Sequence, residues 1–368
     1  MKLRAFSALA VLIPVFAFYD LQPSTVRGTW TVDEACPRAA EVRVSFHHGH
    51  NQYETTMKVA RADIKPGQGV GTMQFAVMRA AGTFNFTGTL VEDQGSGQVT
   101  FAANPQFPKQ MAELGYSKLS DDELFRMAMI DLDPQFVRDL NGVGYANLAT
   151  QELIRMRIHD VDAGFIRGLA NIGLKGLPTD KLIRMRIHDA TPEFVQQMRA
   201  TGFENSDPED FIRMRIHDVT PEFVQEMKRL GFGQLDAEGL ARFKIHDVTP
   251  EFVQQMRQLG FQQLDADDLV RFKIHDVTPE FVTAVRKQGF ADIQADDLVR
   301  MRIHDVTPEF IAKVKQLGYN EVTADDLVRL RIHDVTTDYI AQAKSFQKDV
   351  TLEEIIRYKI HGDRVVHM

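Results

Sequence analysis

Two hydrophobic periods divide this chain. Between residues 28 and 103 apolar positions alternate, and from about residue 104 onward they fall on one face of short helices. The helical pattern is clearest in the phrase LDADDLVRFKIHDVTPEFVTAVRKQGF, residues 264–290. In the preceding copy Phe252, Val253, Met256 and Leu259 make one apolar stripe, with Gln254, Gln255 and Arg257 turned away. Thr249 is placed to accept a hydrogen bond from a free amide of the first turn, and Pro250 follows where a missing N–H costs nothing, so a helix starts here. Gly260 ends it by adopting the left-handed conformation, and Phe261 folds back on Met256 in a Schellman contact. A second helix opens at Asp265, carries Asp267 and Asp268 in its first turn, turns Leu269, Val270 and Phe272 inward and finishes at His275.

The phrase repeats. Gly115, Gly144, Gly173, Gly202, Gly231, Gly260, Gly289 and Gly318 stand 29 residues apart, and His159, His188, His217, His246, His275, His304 and His333 keep the same pitch. A fixed period of this size predicts a solenoid of about eight αα-hairpins over 104–368, in which no unit buries its apolar face alone. Phe107 and Phe136 extend the phase upstream, where Ile130 replaces the histidine, so the first unit is degenerate. Near the end His361 comes one residue early and Ser345-Phe346-Gln347 lacks the glycine, as suits a terminal cap.

The alternating stretch reads as an antiparallel sheet, open or closed as a small barrel or sandwich. Val42, Val44 and Phe46, then Phe75 and Val77, then Phe84 and Phe86 keep strand period. Turns at His50-Asn51, Pro66-Gly67, Ala81-Gly82 and Gln94-Gly95 cut it into about six strands. The fold class expected is therefore α+β in two domains, residues 28–103 and 104–368. Before them Lys2 and Arg4 precede an apolar run from Ala5 to Tyr19, and Val15-Phe16-Ala17 offers a cleavage site, so residues 1–17 read as a signal peptide and the chain as periplasmic or secreted. A membrane partner enters only if that segment stays attached. Cys36 is the single cysteine and forms no internal disulfide.

A net charge of −8 argues against nucleic acid. The paired cations of each repeat, Arg242/Lys244, Arg271/Lys273 and Arg300/Arg302 among them, face nearby acids; Asp267, Arg271 and His275 run at i, i+4, i+8. Arg242, Arg271 and Arg300 are the binding candidates of the repeat surface, set against a solvated or cross-repeat ion-pair role. The histidine column reads as helix-end dipole complements, with the following aspartate holding the ring or capping the next helix. His217, His246, His275 and His304, with Gly202, Gly231, Gly260, Gly289 and Gly318, are then structural anchors. Histidines one hairpin apart, about 10 Å, are too distant to share a zinc. His48 and His50, beside His47 near a strand end, are the one weak metal candidate. The sequence contains no H-E-x-x-H, G-x-S-x-G, P-loop or G-x-G-x-x-G motif, and no catalytic residue or cofactor is assigned.

The run Gly82-Thr-Phe-Asn-Phe-Thr-Gly-Thr-Leu90, then Gly95-Ser-Gly-Gln-Val-Thr-Phe101 and Asn104-Pro-Gln-Phe107, followed by units of R-I-H-D-V-T-P-E-F-V, resembles the extracytoplasmic C-terminal region of bacterial membrane metallopeptidases related to β-lactam-sensing antirepressors. It is also similar to stand-alone exported relatives of that region. The resemblance covers roughly 28–368. It implies an exported accessory or sensor-like binding module; the zinc motif and the membrane helices of those peptidases are missing from this sequence, so neither their peptidase chemistry nor their signalling is implied. The expectation is an exported, non-enzymatic binding or scaffold protein engaging a protein or cell-envelope partner. A ligand or metal sensor using the β-domain is the alternative, and a hydrolase a distant third.

Overall fold

The computed structural model describes residues 26–32, 39–48, 51–60, 65–66, 71–91 and 94–362. The expected signal segment, Cys36 and His50 lie outside them. The fold is α+β: a small antiparallel sheet followed by eighteen helices in a repeated pattern. The chain forms two compact units, Met1–Pro192 and Glu193–Met368.

In the first unit β1 (Val26–Val32), β2 (Ala39–His48), β3 (Asn51–Ala60), β4 (Lys65–Pro66), β5 (Thr72–Arg79), β6 (Gly82–Val91) and β7 (Gln94–Ala103) make one sheet in the order β3-β2-β1-β7-β6-β5-β4. Among the described residues seven strands stand where about six were expected, and their pairing order leaves the sheet open. Each of the four expected turns gives a residue to the ladder: Asn51 pairs with His48 and Pro66 with Met73, and at the two ends of β6 Gly82 pairs with Arg79 across a turn at Ala80-Ala81 and Gln94 with Val91. In both cases the glycine or glutamine sits in the ladder, because the aromatic alternation Phe84, Phe86 fixes which residues of β6 face inward.

That inward face is aromatic. Trp30 on β1 meets Phe75 of β5 edge-on at 5.9 Å and Phe86 of β6 at 6.4 Å, while Phe75 and Phe86 stack at 4.4 Å. Neighbouring strands lie roughly 4.8 Å apart and β1 is three strands from β5, so ring contact between them requires a sheet curled over its own apolar face. Trp30 is 1% exposed there. It lies across Gly88 and Gly97, which pair with each other, and its indole N–H donates to the Thr87 carbonyl at 3.1 Å. A Cβ on Gly97 would stand 2.7 Å from Trp30 Nε1 and 2.0 Å from the Thr87 oxygen, so both the register and the indole position demand glycine.

Helices α1 (Phe107–Glu113), α2 (Asp121–Met129), α3 (Pro134–Asn141), α4 (Thr150–Ile158), α5 (Ala163–Asn171) and α6 (Thr179–Ile187) complete this unit. Phe125 of α2 packs edge-on against Phe84 and Phe101, and Arg79 pairs with Asp131 at 2.7 Å, so the sheet and the first hairpin share one core. The chain continues with α7 (Pro192–Ala200), α8 (Pro208–Ile216), α9 (Pro221–Arg229), α10 (Ala237–Ile245), α11 (Pro250–Gln258) and α12 (Ala266–Ile274). It ends with α13 (Pro279–Lys287), α14 (Ala295–Ile303), α15 (Pro308–Gln316), α16 (Ala324–Ile332), α17 (Thr337–Phe346) and α18 (Leu352–His361). Within each unit odd helices pack on odd and even on even, giving two layers.

The local signals act as the residues predict. Thr220, Thr249, Thr278, Thr307 and Thr336 each accept from the amide three residues on, at 3.2 Å, with proline at the first helical position in all but the last. Gly202, Gly231, Gly260, Gly289 and Gly318 have φ of +104°, +83°, +88°, +96° and +97°. At Gly260 both Schellman bonds are present, Gly260 N–H to Arg257 O at 2.8 Å and Phe261 N–H to Met256 O at 3.1 Å.

Candidate functional site

Chemistry-bearing side chains occur once per hairpin, in columns. The first column holds the three arginines singled out as binding candidates. Arg242 reaches Asp267 at 3.0 Å, Arg271 reaches Asp296 at 3.0 Å and Arg300 reaches Asp325 at 2.7 Å, each acid lying in the first turn of the next even helix. Arg329 closes the row on Glu353 at 2.6 Å. The expected i, i+4 pair of Asp267 with Arg271 is corrected: Arg271 stands 3.6 Å from Asp268 one turn earlier, while Asp267 serves Arg242. A dipole-favoured acid at a helix start is also the nearest charge to the arginine of the previous hairpin, and that geometry decides the pairing. The hydrogen bond to Asp325 holds the Arg300 guanidinium above its ordinary pKa.

The second cation of each pair points back. Arg215, Lys244, Lys273, Arg302 and Arg331 lie over Phe194, Phe223, Phe252, Phe281 and Phe310, each within 5.0–5.4 Å of the ring centroid. Lys273 also pairs with Asp247 at 2.9 Å, Arg331 with Asp305 at 3.4 Å, and Arg302 with Asp276. These aspartates correct another expectation. They do not cap the next helix, which the threonines do. Asp218, Asp247, Asp276, Asp305 and Asp334 have φ of +51° to +60° and end the even helices as glycine ends the odd ones. Asp276 N–H donates to Lys273 O at 3.2 Å and Val277 N–H to Phe272 O at 2.7 Å, a second Schellman closure that recurs at Asp218, Asp247, Asp305 and Asp334. Aspartate tolerates this conformation better than most residues, and its carboxylate is thereby aimed at the cation 26 residues ahead.

A third column escaped the sequence reading. Lys228, Arg257, Arg286, Lys315 and Lys344, each three residues before a glycine or its equivalent, donate to the carbonyls of Thr201, Leu230, Leu259, Gln288 and Leu317 at the open ends of the preceding odd helices. Arg257, Arg286, Lys315 and Lys344 also lie over Phe232, Phe261, Phe290 and Tyr319. The signal available was the cation at constant phase before the glycine; only a neighbour's exposed carbonyl gives it a role. Tyr319 donates to Val350 O at 2.7 Å, and burial pushes its phenol up.

The histidines occupy the C-cap. His217, His246, His275 and His304 are half-buried, with backbone N–H groups bonded to the arginine four residues earlier. Arg302 and Arg331 donate to the carbonyls of His275 and His304 at 3.2 and 3.3 Å. Among the described residues no group of three or more histidine, cysteine, aspartate or glutamate side chains is placed to hold a metal ion. His48 ends β2, paired with Asn51, and its proposed co-ligand His50 falls outside the described residues.

No protein-family model and no curated protein matches the chain. Among the described residues, no helix is long and apolar enough to cross a membrane. The outward surfaces of the two layers differ. Odd helices α7, α9 and α11 show glutamine or glutamate outward, and an open groove of about 420 Å³ between α11 and α13 is lined by Gln255, Gln258, Pro279, Glu280, Thr283 and Lys287. Even helices show the acid, the arginine and an isoleucine.

Proposed function

We propose that this chain is an exported, non-enzymatic binding or scaffold protein whose repeat surface engages a protein or cell-envelope partner. The observation that carries the reading is the distribution of exposed side chains on the even helices, where an acid, an arginine and an isoleucine recur at the same phase of α12, α14 and α16, which suits a ligand met along many units. All three cation columns serve neighbouring hairpins, so Arg242, Arg271 and Arg300 offer a partner only their outer edges. The basic leader Lys2–Arg4 with its apolar run, and the likeness of the repeat phrase to extracytoplasmic modules, support export.

Two measurements test it. Alkaline phosphatase fused after residue 27 gains activity in a bacterial host if the leader exports, and an inactive fusion removes the envelope from the reading. The full chain, immobilised and washed with envelope extract, retains a component that free chain competes away. Retention no greater than that on an unrelated helical-repeat protein overturns the binding role.

A further inference from the structure

One odd helix departs from the repeat. The outward pair that is Gln196-Gln197 on α7, Gln225-Glu226 on α9 and Gln254-Gln255 on α11 becomes Thr283-Ala284 on α13, and neither α15 nor α17 is short at both positions. The Thr283 hydroxyl donates to Pro279 O at 2.8 Å and so stays against its own helix. The space that two glutamines would fill is the open groove of about 420 Å³ between α11 and α13. A second hollow of about 280 Å³, lined by Glu251 and Phe252, shares Gln255, Pro279 and Glu280 with it and lengthens it toward the helix starts.

Two stripes border this groove. Glu280, Thr283, Ala284 and Lys287 lie at i, i+3, i+4 and i+7 on α13, and Glu251, Gln255 and Gln258 at i, i+4 and i+7 on α11. The charges at its ends are not used within the chain. Glu251, Glu280 and Lys287 have no ion-pair partner among the described residues, and the side-chain amides of Gln255 and Gln258 make no hydrogen bond there. The other charges beside the groove are matched, Lys273 by Asp247 at 2.9 Å and Asp276 by Arg302. The groove is therefore acidic at one end and cationic at the other, with two free amides between.

We propose that this groove docks an extended segment of another protein, with a basic residue at the Glu251 and Glu280 end and an acidic residue three positions away at Lys287. The match is one of charge and of spacing. Glu280 and Lys287 are two helical turns apart, about 10 Å. Three residues of polyproline II chain advance about 9 Å and bring a side chain back to the same side, and they leave the backbone N–H and C=O groups free for the glutamine amides. A polyanion or polycation satisfies one end of the groove and is repelled at the other. The site lies on the odd helices, apart from the even-helix columns that carry the proposed function, so it adds to that reading and its failure leaves that reading standing.

An oriented peptide library passed over the immobilised full chain tests it. The probes are peptides of about twelve residues with Lys and Glu fixed three positions apart and every other position degenerate; one control library carries Gln at both fixed positions, and another places Lys and Glu side by side. The spaced library is retained more than about tenfold above both controls. Thr283→Gln/Ala284→Gln restores the repeat's own residues and fills the groove, so it abolishes that excess with helix content unchanged, and Lys287→Gln reduces it severalfold. Equal retention of the three libraries by the wild type, or an excess that both variants leave intact, overturns the proposal. Retention of soluble cell-wall glycan fragments that Thr283→Gln/Ala284→Gln removes, without any preference among the peptides, would assign the groove to a glycan and overturn it as well.

Discussion

The sheet of the first unit and the repeats of the second both bury aromatic side chains, but they organise them differently. In the sheet, Trp30 reaches β5 and β6 at once and rests on two glycines that pair with each other; every part of the arrangement occurs once. In the repeats a ring such as Phe252 is covered by the cation of the next hairpin, and the same contact recurs at Phe194, Phe223, Phe281 and Phe310. The sheet thus depends on a single unrepeatable contact set, whereas the repeats depend on a link that can fail locally. A lesion of equal local severity should therefore spread through the sheet and stay near its site in the repeats.

The largest effect is expected at Trp30. Trp30→Ala removes a fully buried ring and should lower stability of the first unit by about 3–5 kcal/mol, read from chemical denaturation followed by strand-sensitive circular dichroism. Gly97→Ala should cost about 1–3 kcal/mol or more, because its methyl is aimed at backbone that cannot move aside. A loss under half a kcal/mol in either would mean that the curled sheet tolerates repacking and the contrast with the repeats is false.

Next comes the left-handed column. A Cβ on Gly260 meets nothing nearer than Arg286 Nη2 at 3.9 Å, so the penalty is conformational and not steric. Gly260→Val should lose roughly 1–2 kcal/mol or more, and Gly260→Asn clearly less. Equal denaturation midpoints for the two would contradict the assignment. Thr278→Ala, which frees the Phe281 amide, should cost about 1 kcal/mol, with Thr278→Ser close to wild type. Smallest of all is Arg271→Gln: its guanidinium is half exposed, and loss of the Asp296 pair should cost about 0.2–1 kcal/mol, a difference that disappears in high salt. A salt-independent loss would show that the arginine acts through packing of its stem.

Much of this was legible in the residues. Thr249, Pro250 and Gly260 announce a helix start and end by chemistry that operates within six residues, and the bonds they were expected to make are present. Asp276 misled because a carboxylate next to a helix start reads as a cap, and its left-handed backbone follows from the helix before it. Lys315 and Arg286 showed their constant phase before the glycine but not their role, since the carbonyls they satisfy lie 27 residues back in sequence. Alternation at Phe84 and Phe86 gave the buried face of β6, but the meeting of Trp30 with Phe75 depends on curvature accumulated over three strand pairings, which no local pattern encodes. The isoleucine column was visible as a period and not as a surface, because half-exposure of a helix-end residue depends on how closely the next hairpin packs.

Native-state hydrogen exchange on Gly260→Val and Gly97→Ala, resolved by peptide, compares the two regions directly. For Gly260→Val the account predicts that protection falls in α11 through α14 while β1, β5, β6 and β7 keep wild-type protection. For Gly97→Ala it predicts that all four of those strands lose protection together. Uniform loss over every helix in Gly260→Val, or loss confined to β6 and β7 in Gly97→Ala, would contradict it.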